Sequence, residues 1–495
     1  MAGFVLPLII VVIVLALLAS LPYWLPARVV ALRVLVFARV NGEEGVPVPG
    51  RRHDVGRFRS LYANPAANGR SRGAGLSNLF WYWLAPGPEV HQEHLEAGPR
   101  YDEVARITRQ ILVRGKEESE RLTQACVTRV LDELPDRAQR TVRLRDLMMP
   151  VWAELYYELV FGTRCPPDVR RLIVANADDV VTALKCCGLR HMRRRERMTE
   201  YLRQQLGAGT IPHPLPTLLS AEETAQYLQG TFFNTAVVQM SEAMTHLVLA
   251  VAEHPDVQAR LVADPADTDF LDRVIDETFR MYPLFGIAHR ITTADIDTGP
   301  ELLPAGSVLL FNYPEYHRVG YDHSEVYDPD RWLTLAAKDS NFIPFGVTAN
   351  RACPARGLAP VTMRVVLREV LRRYQVASSA AHTRSIPNRG PCLLVDRRLA
   401  PGPRRGSLAR LRLADRWADV WRSLTQLVFG SYMVWDARRK SLCDNYFAQL
   451  GDGTEGGTTK IDAAGGGAAG SVASGRCPFP GPADSAPRQK EGDRA

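Results

Sequence analysis

The sequence predicts a mainly α-helical protein with a small β region, preceded by one N-terminal transmembrane helix. Three observations carry that expectation. Residues 116–134, 221–253, 268–282 and 355–374 place apolar side chains at helical period with few breakers. Residues 283–315 alternate apolar and polar positions and are broken by Pro and Gly, the pattern of short strands and turns. Phe4 to Trp24 is an unbroken apolar stretch rich in Leu, Val and Ile. About twenty such residues cross a bilayer as a helix.

The N-terminal run competes with a cleaved signal peptide. A signal peptide wants positive charge at its start, a shorter apolar run and a small-residue cleavage site. Here no Lys or Arg precedes the run, and it ends in Tyr23 and Trp24, which suit a membrane interface. An anchor over 4–24 is therefore expected. Arg28, Arg33 and Arg39 follow it, which by the positive-inside rule places the bulk of the chain on the cytoplasmic side. Residues 25–50 are expected to be a linker, with the stiff Val46-Pro47-Val48-Pro49-Gly50 turn as a hinge. The body is expected over 51–400. Residues 401–450 form a helical extension whose 406–449 part is basic and amphipathic, with Trp417, Trp421 and Trp435. The favoured expectation is a helix packed on the body; the sharper one is a surface helix touching lipid. Residues 451–495 are rich in Gly, Ala, Ser and charge, the composition of a disordered tail.

Of 495 residues, 46% are apolar, enough for a substantial core, and the net charge is +7. The basic residues are nearly all Arg, with six Lys. No compact basic run with interleaved aromatics occurs, so nucleic acid is not an expected partner. The eight Cys form no CxxC pair and no zinc-like spacing. Scattered Cys in so long a chain fit a reducing compartment.

Three local patterns follow one another. Glu277 and Arg280 stand at i and i+3 of a helix and can pair. Apolar neighbours in Val274-Ile275-Asp276-Glu277-Thr278-Phe279-Arg280 suggest a buried pair, which needs further partners to offset desolvation. Tyr327-Asp328-Pro329-Asp330-Arg331-Trp332 is a turn that offers Glu277 a second guanidinium. Pro344-Phe345-Gly346-Val347-Thr348-Ala349-Asn350-Arg351-Ala352-Cys353-Pro354-Ala355 is a loop that delivers a Cys ahead of an apolar-periodic helix. Pro354 suits a first helical position, and helix-start amides favour a thiolate. Phe345 is placed to pack beside a flat macrocycle, and Arg351 to meet a carboxylate. A lone Cys is by itself usually a small buried hydrophobe. The order of the three patterns is what argues otherwise.

Together these residues resemble the cytochrome P450 superfamily. In that family a Glu-x-x-Arg helix and a Pro-x-Arg-aromatic turn build a Glu-Arg-Arg network, and a Phe-Gly-x-Gly-x-Arg-x-Cys loop supplies an axial thiolate. Ala252 to Leu261, Gly98-Pro99 and His289-Arg290 match further family segments, so the resemblance covers residues 90–400. It implies haem b, with Cys353 as the iron ligand and Arg290, Arg351 and Phe345 around the macrocycle. It implies Glu277, Arg280 and Arg331 as a structural network. A thiolate ligand pushes electron density to iron and favours O–O cleavage.

The sequence also departs from the family. The Phe345 to Cys353 spacing is one residue longer, and Ala355 replaces the usual Gly after the Cys. Tyr101 stands where the helix C histidine is expected. On the central helix, Gly230-Thr231-Phe232-Phe233-Asn234-Thr235-Ala236 puts Phe233 at the acid and Asn234 at the first Thr. Phe cannot transfer a proton, and an amide does not titrate. Two expectations follow. One is a monooxygenase in which Thr235 or water relays protons. The other is an isomerase or dehydratase of peroxide-type substrates, with Asn234 holding a substrate oxygen. A non-catalytic auxiliary homologue is a third class, disfavoured because Cys353, Glu277, Arg280 and Arg331 are all present.

Phe232, Phe233, Phe285 and Ile287 fall where the resemblance places the distal pocket, and they suit a hydrophobic small molecule. A monooxygenase also needs an electron donor. Arg356 and Arg364 offer a basic surface for an acidic ferredoxin or flavoprotein.

Overall fold

The computed structural model describes residues 2–41, 45–84, 94–299 and 301–451. The expected tail lies outside the described residues.

The chain opens with α1 (Ala2–Asn41), a single 40-residue helix. The expected anchor and much of the expected linker are thus one element. The reason is local: from Val29 to Val40 the sequence is mostly Val, Leu, Ala and Arg without a breaker, so nothing stops the helix. Then β1 (Val46–Val48) pairs in parallel with a later strand. The Pro/Gly segment is therefore a sheet edge belonging to the body, not a hinge. Pro47 is tolerated because an edge strand leaves one side of its backbone unpaired.

Helices α2 (Val55–Ala63), α3 (Gly75–Leu84), α4 (Pro99–Leu112) and α5 (Lys116–Asp132) follow. After β2 (Gln139–Arg143) come α6 (Leu144–Phe161), α7 (Pro167–Leu184) and α8 (Met192–Gly207). α9 (Ala221–Leu228) starts at a capping box, with Ser220 and Glu223 satisfying each other's backbone amides. A π-helical segment (Gln229–Ala236) joins it to α10 (Val237–Glu253). α11 (Pro255–Ala263) and α12 (Thr268–Met281) lead into the β region. Asp267 caps α12 by accepting from Phe270 N at 2.8 Å.

The β region holds β3 (Ile287–Ile291), β4 (Ile296–Asp297), β5 (Leu302–Leu303) and β6 (Val308–Asn312), then the short α13 (Tyr313–Tyr316). The chain continues through α14 (Ala359–Arg373), β7 (Tyr374–Ala377), β8 (Pro391–Asp396), α15 (Ser407–Lys440) and α16 (Leu442–Gly451). Strand order is β1-β6-β3 in one sheet and β2-β8-β7 in another, with β4-β5 a two-stranded ribbon.

The main core gathers buried residues of α5, α6, α10, α12 and α14. α6 and α10 are buried around nearly their whole circumference, the position of central helices. The 221–253 helix is apolar enough to cross a membrane, but it is this buried core helix.

α15 packs along α1. Arg416 lies over the Tyr23 ring at 4.8 Å, Arg33 donates to Gln426 Oε1 at 2.6 Å, and Gly430 faces Phe37. The Arg33–Gln426 offset of 393 residues also relates the other two pairs, so the helices run parallel. One face of α15 is thus packed, as the favoured expectation has it. Its other face exposes Leu413, Trp417, Trp421, Val428, Tyr432 and Trp435.

Candidate functional site

Glu277 is fully buried on α12 and surrounded by donors. Arg280 Nε donates to Oε2 at 2.9 Å and Nη2 to Oε1 at 2.8 Å. Arg331 Nε donates to Oε1 at 3.1 Å. Two donors that the sequence did not single out complete the set: Trp332 Nε1 at 3.1 Å and the Asp328 amide at 3.0 Å. Arg331 also donates to the carbonyls of Asp322 and Val326 at 2.9 and 3.0 Å. The carboxylate loses water but gains five N–H donors, the condition under which a buried charge is tolerated.

Nearby His317 joins α12 to the Cys loop. Its Nδ1 faces Phe279 O at 3.3 Å, and its Nε2 accepts from Ile343 N at 3.2 Å. Those partners assign the proton to Nδ1. Burial drives its pKa down to about 3, so the ring is neutral.

The Cys loop is pinned at several points. The Cys353 amide donates to Phe345 O at 3.0 Å, closing the loop on itself. Gly346 has φ +71°, and a Cβ there would lie 3.3 Å from the Tyr62 hydroxyl. Only glycine adopts that geometry without strain. Asn350 Nδ2 points at the carbonyls of Tyr62, Asn64 and Ala67, at 3.1, 2.9 and 3.0 Å. Arg351 donates to Leu95 O at 2.7 Å and lies 4.2 Å over the Tyr101 ring. Cys353 itself is half-buried. The helix that follows begins at Ala359, not at Ala355, with Pro360 rather than Pro354 in its first turn. Residues 354–358 are turns, held by Arg356 N to Cys353 O at 3.3 Å and Leu358 N to Ala355 O at 3.0 Å. Cys353 is therefore followed by a tight turn rather than by the first turn of α14.

Arg290, on β3, is buried and donates to the Tyr62 hydroxyl at 2.9 Å. Tyr62 thus touches both Arg290 and the Cys loop. Phe345, Ala359 and Met363 from the loop side and Met240 and Ala243 from α10 line a shared apolar cavity. Phe279, Leu284 and Phe285 close one flank of it. Tyr156 on α6 is another residue missed in the sequence. Its phenol is raised by burial and then by the Cys353 sulfur, which places it in the thiol's surroundings.

The central-helix residues are divided in their use. Phe232 packs edge-on against Tyr227 at 6.0 Å, and Phe233 stacks on Phe161 at 6.4 Å. Both are core residues and do not line the cavity. Ile287 packs toward the cluster around Phe37 and Met433. Of the four expected pocket residues, Phe285 is the one on the cavity wall. Asn234 Oδ1 accepts from Asn176 at 2.5 Å, and its Nδ2 donates to Leu84 O at 3.2 Å. Asn176 accepts in turn from Gln229, which also meets Thr199. Asn234 is therefore tied into a polar network joining the π-helical segment to α7 and α8. Thr235 is half-buried. The π-helical turn is where the backbone widens, as central helices do at functional positions.

Arg364 Nη1 reaches both carboxylate oxygens of Asp272 at 2.7 Å, and Arg356 donates to the Thr348 hydroxyl at 2.8 Å. Arg364 is thus less open to an outside partner than the sequence suggests.

Residues 213–398 match the family model for cytochrome P450. The chain is 32% identical over 147 residues to a putative cytochrome P450 135B1 of Mycobacterium bovis, covering 28% of this chain and 31% of that protein. It is 29% identical over 206 residues to pentalenene oxygenase of Streptomyces avermitilis, covering 36% of this chain and 45% of that protein. The matched stretches thus span less than half the length of these relatives. A six-coordinated cytochrome P450 from Thermus thermophilus has the same fold, with TM-score 0.53 and 18% identity, covering 66% of this chain and 87% of that one.

The fold and the order of Glu277, Arg331 and the Cys353 loop are those of a haem-thiolate protein family. Residues 213–398 are thus similar to cytochrome P450 in sequence, and the fold is the one cytochrome P450 structures have. These matches imply haem held by a cysteine thiolate. The residues present fit that group: a half-buried thiol at the end of a pinned loop, guanidiniums at 290 and 351, an aromatic wall at Phe345 and a glycine where bulk would collide.

Proposed function

We propose that this chain is a membrane-anchored haem-thiolate oxidoreductase that performs monooxygenase-type oxidation of a hydrophobic small molecule. Cys353 would hold the haem iron through its thiolate, and Arg290 and Arg351 would meet the haem carboxylates. The observation that carries this is the Cys loop, pinned through Tyr62 and Asn350 and facing the cavity beneath α10. When bound, thiolate-ligated haem supplies iron that favours O–O cleavage.

The chain's own residues orient and exclude. Phe279, Leu284, Phe285 and Met240 present an apolar wall to the substrate. Neither Phe233 nor Thr235 is among the residues lining the cavity, so proton movement is left to water rather than to these positions. Electrons come from a ferredoxin or flavoprotein docking on the Arg-rich loop-side surface, where Arg356 is exposed. The isomerase alternative relies on Asn234 holding a substrate oxygen. The bonds to Asn176 and Leu84 occupy that amide, so the oxidoreductase is favoured.

α1 is long and apolar enough to cross a membrane, and its Ile9–Leu18 side chains are exposed. The body lies on the cytoplasmic side, where Arg28, Arg33 and Arg39 follow the apolar run. The functional test is a screen of apolar substrates with NADPH and a ferredoxin or flavoprotein donor, against a parallel screen with peroxide substrates alone. Product whose oxygen derives from dioxygen supports the proposal. Rearranged peroxide formed without electron donor overturns it.

A further inference from the structure

Four charged side chains gather from four different elements: Arg145 on α6, Lys185 next to the end of α7, Glu242 on α10 beside the cavity-lining Ala243, and Arg384 on the loop between β7 and β8. Glu242 takes two of the cations. Arg145 pairs with its Oε1, and Lys185 Nζ lies 2.6 Å from Oε2. The backbone fixes both cations further. Arg145 donates to Ile386 O at 2.6 Å, and Lys185 donates to Ser385 O. Arg384 makes no ion pair with a described carboxylate, and donates to Leu284 O at a long 3.4 Å. The other acids nearby have partners of their own. Asp146 and Asp178 pair with Arg389, Asp179 with Arg195, and Glu253 with His382.

Two cations thus pair with Glu242, and a third, Arg384, lies within its electrostatic reach in a largely buried region. Burial lowers the Lys185 ammonium to about 8 and the Arg384 guanidinium to about 10, and Glu242 is the one charge that favours ionised Arg384. Burial also holds His246, one turn beyond Glu242, well below its usual value, with His382, Lys185 and Arg384 adding to the depression. An interior with surplus positive charge is stabilised by an anion.

The backbone makes room for Arg384. A Cβ at Gly286 would fall 2.7 Å from its Nη2, so only glycine lets the guanidinium lie against this strand entry. Leu284 and Phe285, the residues just before Gly286, are on the cavity wall. The guanidinium therefore lies against the backbone of the segment that supplies two residues of the cavity wall.

We propose that Arg384, supported by Lys185, binds the carboxylate of an amphiphilic substrate whose apolar body enters the cavity of Leu284, Phe285 and Met240. This rests on the cavity being the substrate site of the oxidoreductase, and it narrows the substrate class to apolar acids. Arg384 is well suited, because its planar fork matches a carboxylate with two parallel N–H bonds.

The test is equilibrium binding by calorimetry on the full-length, haem-loaded protein in detergent, with dodecanoate and dodecanol as probes. Dodecanoate is expected to bind at least about tenfold more tightly than dodecanol, the effect of a charge-assisted pair. Arg384→Gln is expected to erase that preference and leave dodecanol unchanged. Gly286→Ala, which displaces the guanidinium without removing it, is expected to weaken dodecanoate alone. Equal binding of the two probes by the wild type overturns the proposal, as does an Arg384→Gln variant that keeps the preference. Neither readout depends on turnover, so failure of the oxidation assay with the preference intact would count against the reaction and not against this site.

Discussion

At the scale of single residues, Glu277 shows how a buried charge is held. Five N–H donors surround it, two from Arg280 and one each from Arg331, Trp332 and Asp328. Removing a partner leaves an uncompensated buried charge. Arg331→Leu should therefore destabilise the fold by about 3–5 kcal/mol, read as a fall in the urea midpoint with an unchanged slope. An unchanged midpoint would mean that Glu277 is adequately solvated without Arg331. Both arginines are legible in the sequence, since their types and spacing specify guanidiniums near a helix-borne acid. Trp332 and the Asp328 amide are not, because a ring N–H and a backbone N–H leave no chemical mark at the level of spacing. Asn234 misleads for a related reason. Its type is compatible with substrate contact, and only the fold brings Asn176 and Leu84 to its amide. Asn176→Ala removes one partner of Asn234 and one of Gln229, and should cost about 1–3 kcal/mol, measured the same way.

At the scale of elements, α12 carries both the network and a liability. Asp276 is half-buried next to Glu277, and desolvation, then Asp272 and Glu277, raise its carboxyl to about 7. A raised folded-state pKa means that the folded chain binds the proton more tightly than the unfolded one. Asp276 therefore lowers stability progressively as pH rises from about 4 to about 7, and the loss is complete above that. Asp276→Asn should leave the urea midpoint unchanged near pH 4 and raise it at about pH 8. A gain of equal size at both pH values would contradict this assignment. The elements themselves are mostly legible. The 268–282 period is α12, and the alternation over 283–315 is a set of short strands. The exceptions are instructive. Val46–Val48 reads as a hinge because its prolines are local signals, whereas its pairing with β6 is made by residues far along the chain. α14 starts four residues later than expected because residues 354–358 close turns around Cys353. The π-helical widening at Gln229–Ala236 has no periodic signature in so short a segment.

At the scale of the whole molecule, α1 joins an apolar span to the catalytic body through its parallel packing on α15. The Arg33–Gln426 bond links residues 393 positions apart, which no local pattern announces. Its consequence is that the apolar span is one continuous helix with the segment packed on α15. Deleting residues 2–19, which precede the contact with α15, should release the protein from the membrane fraction at high salt while its thermal unfolding is unchanged. Retention of the truncated chain would assign membrane binding to another surface, the exposed tryptophans of α15 included. On the proposed reading, the whole fold serves to hold Cys353 against haem iron. The most direct measurement is the absorbance spectrum of the ferrous–CO complex of the full-length protein and of Cys353→Ser. The wild type is expected to give the red-shifted Soret band of a thiolate ligand, and Cys353→Ser to lose it. The same band in both proteins, or no bound haem in the wild type, would contradict the account.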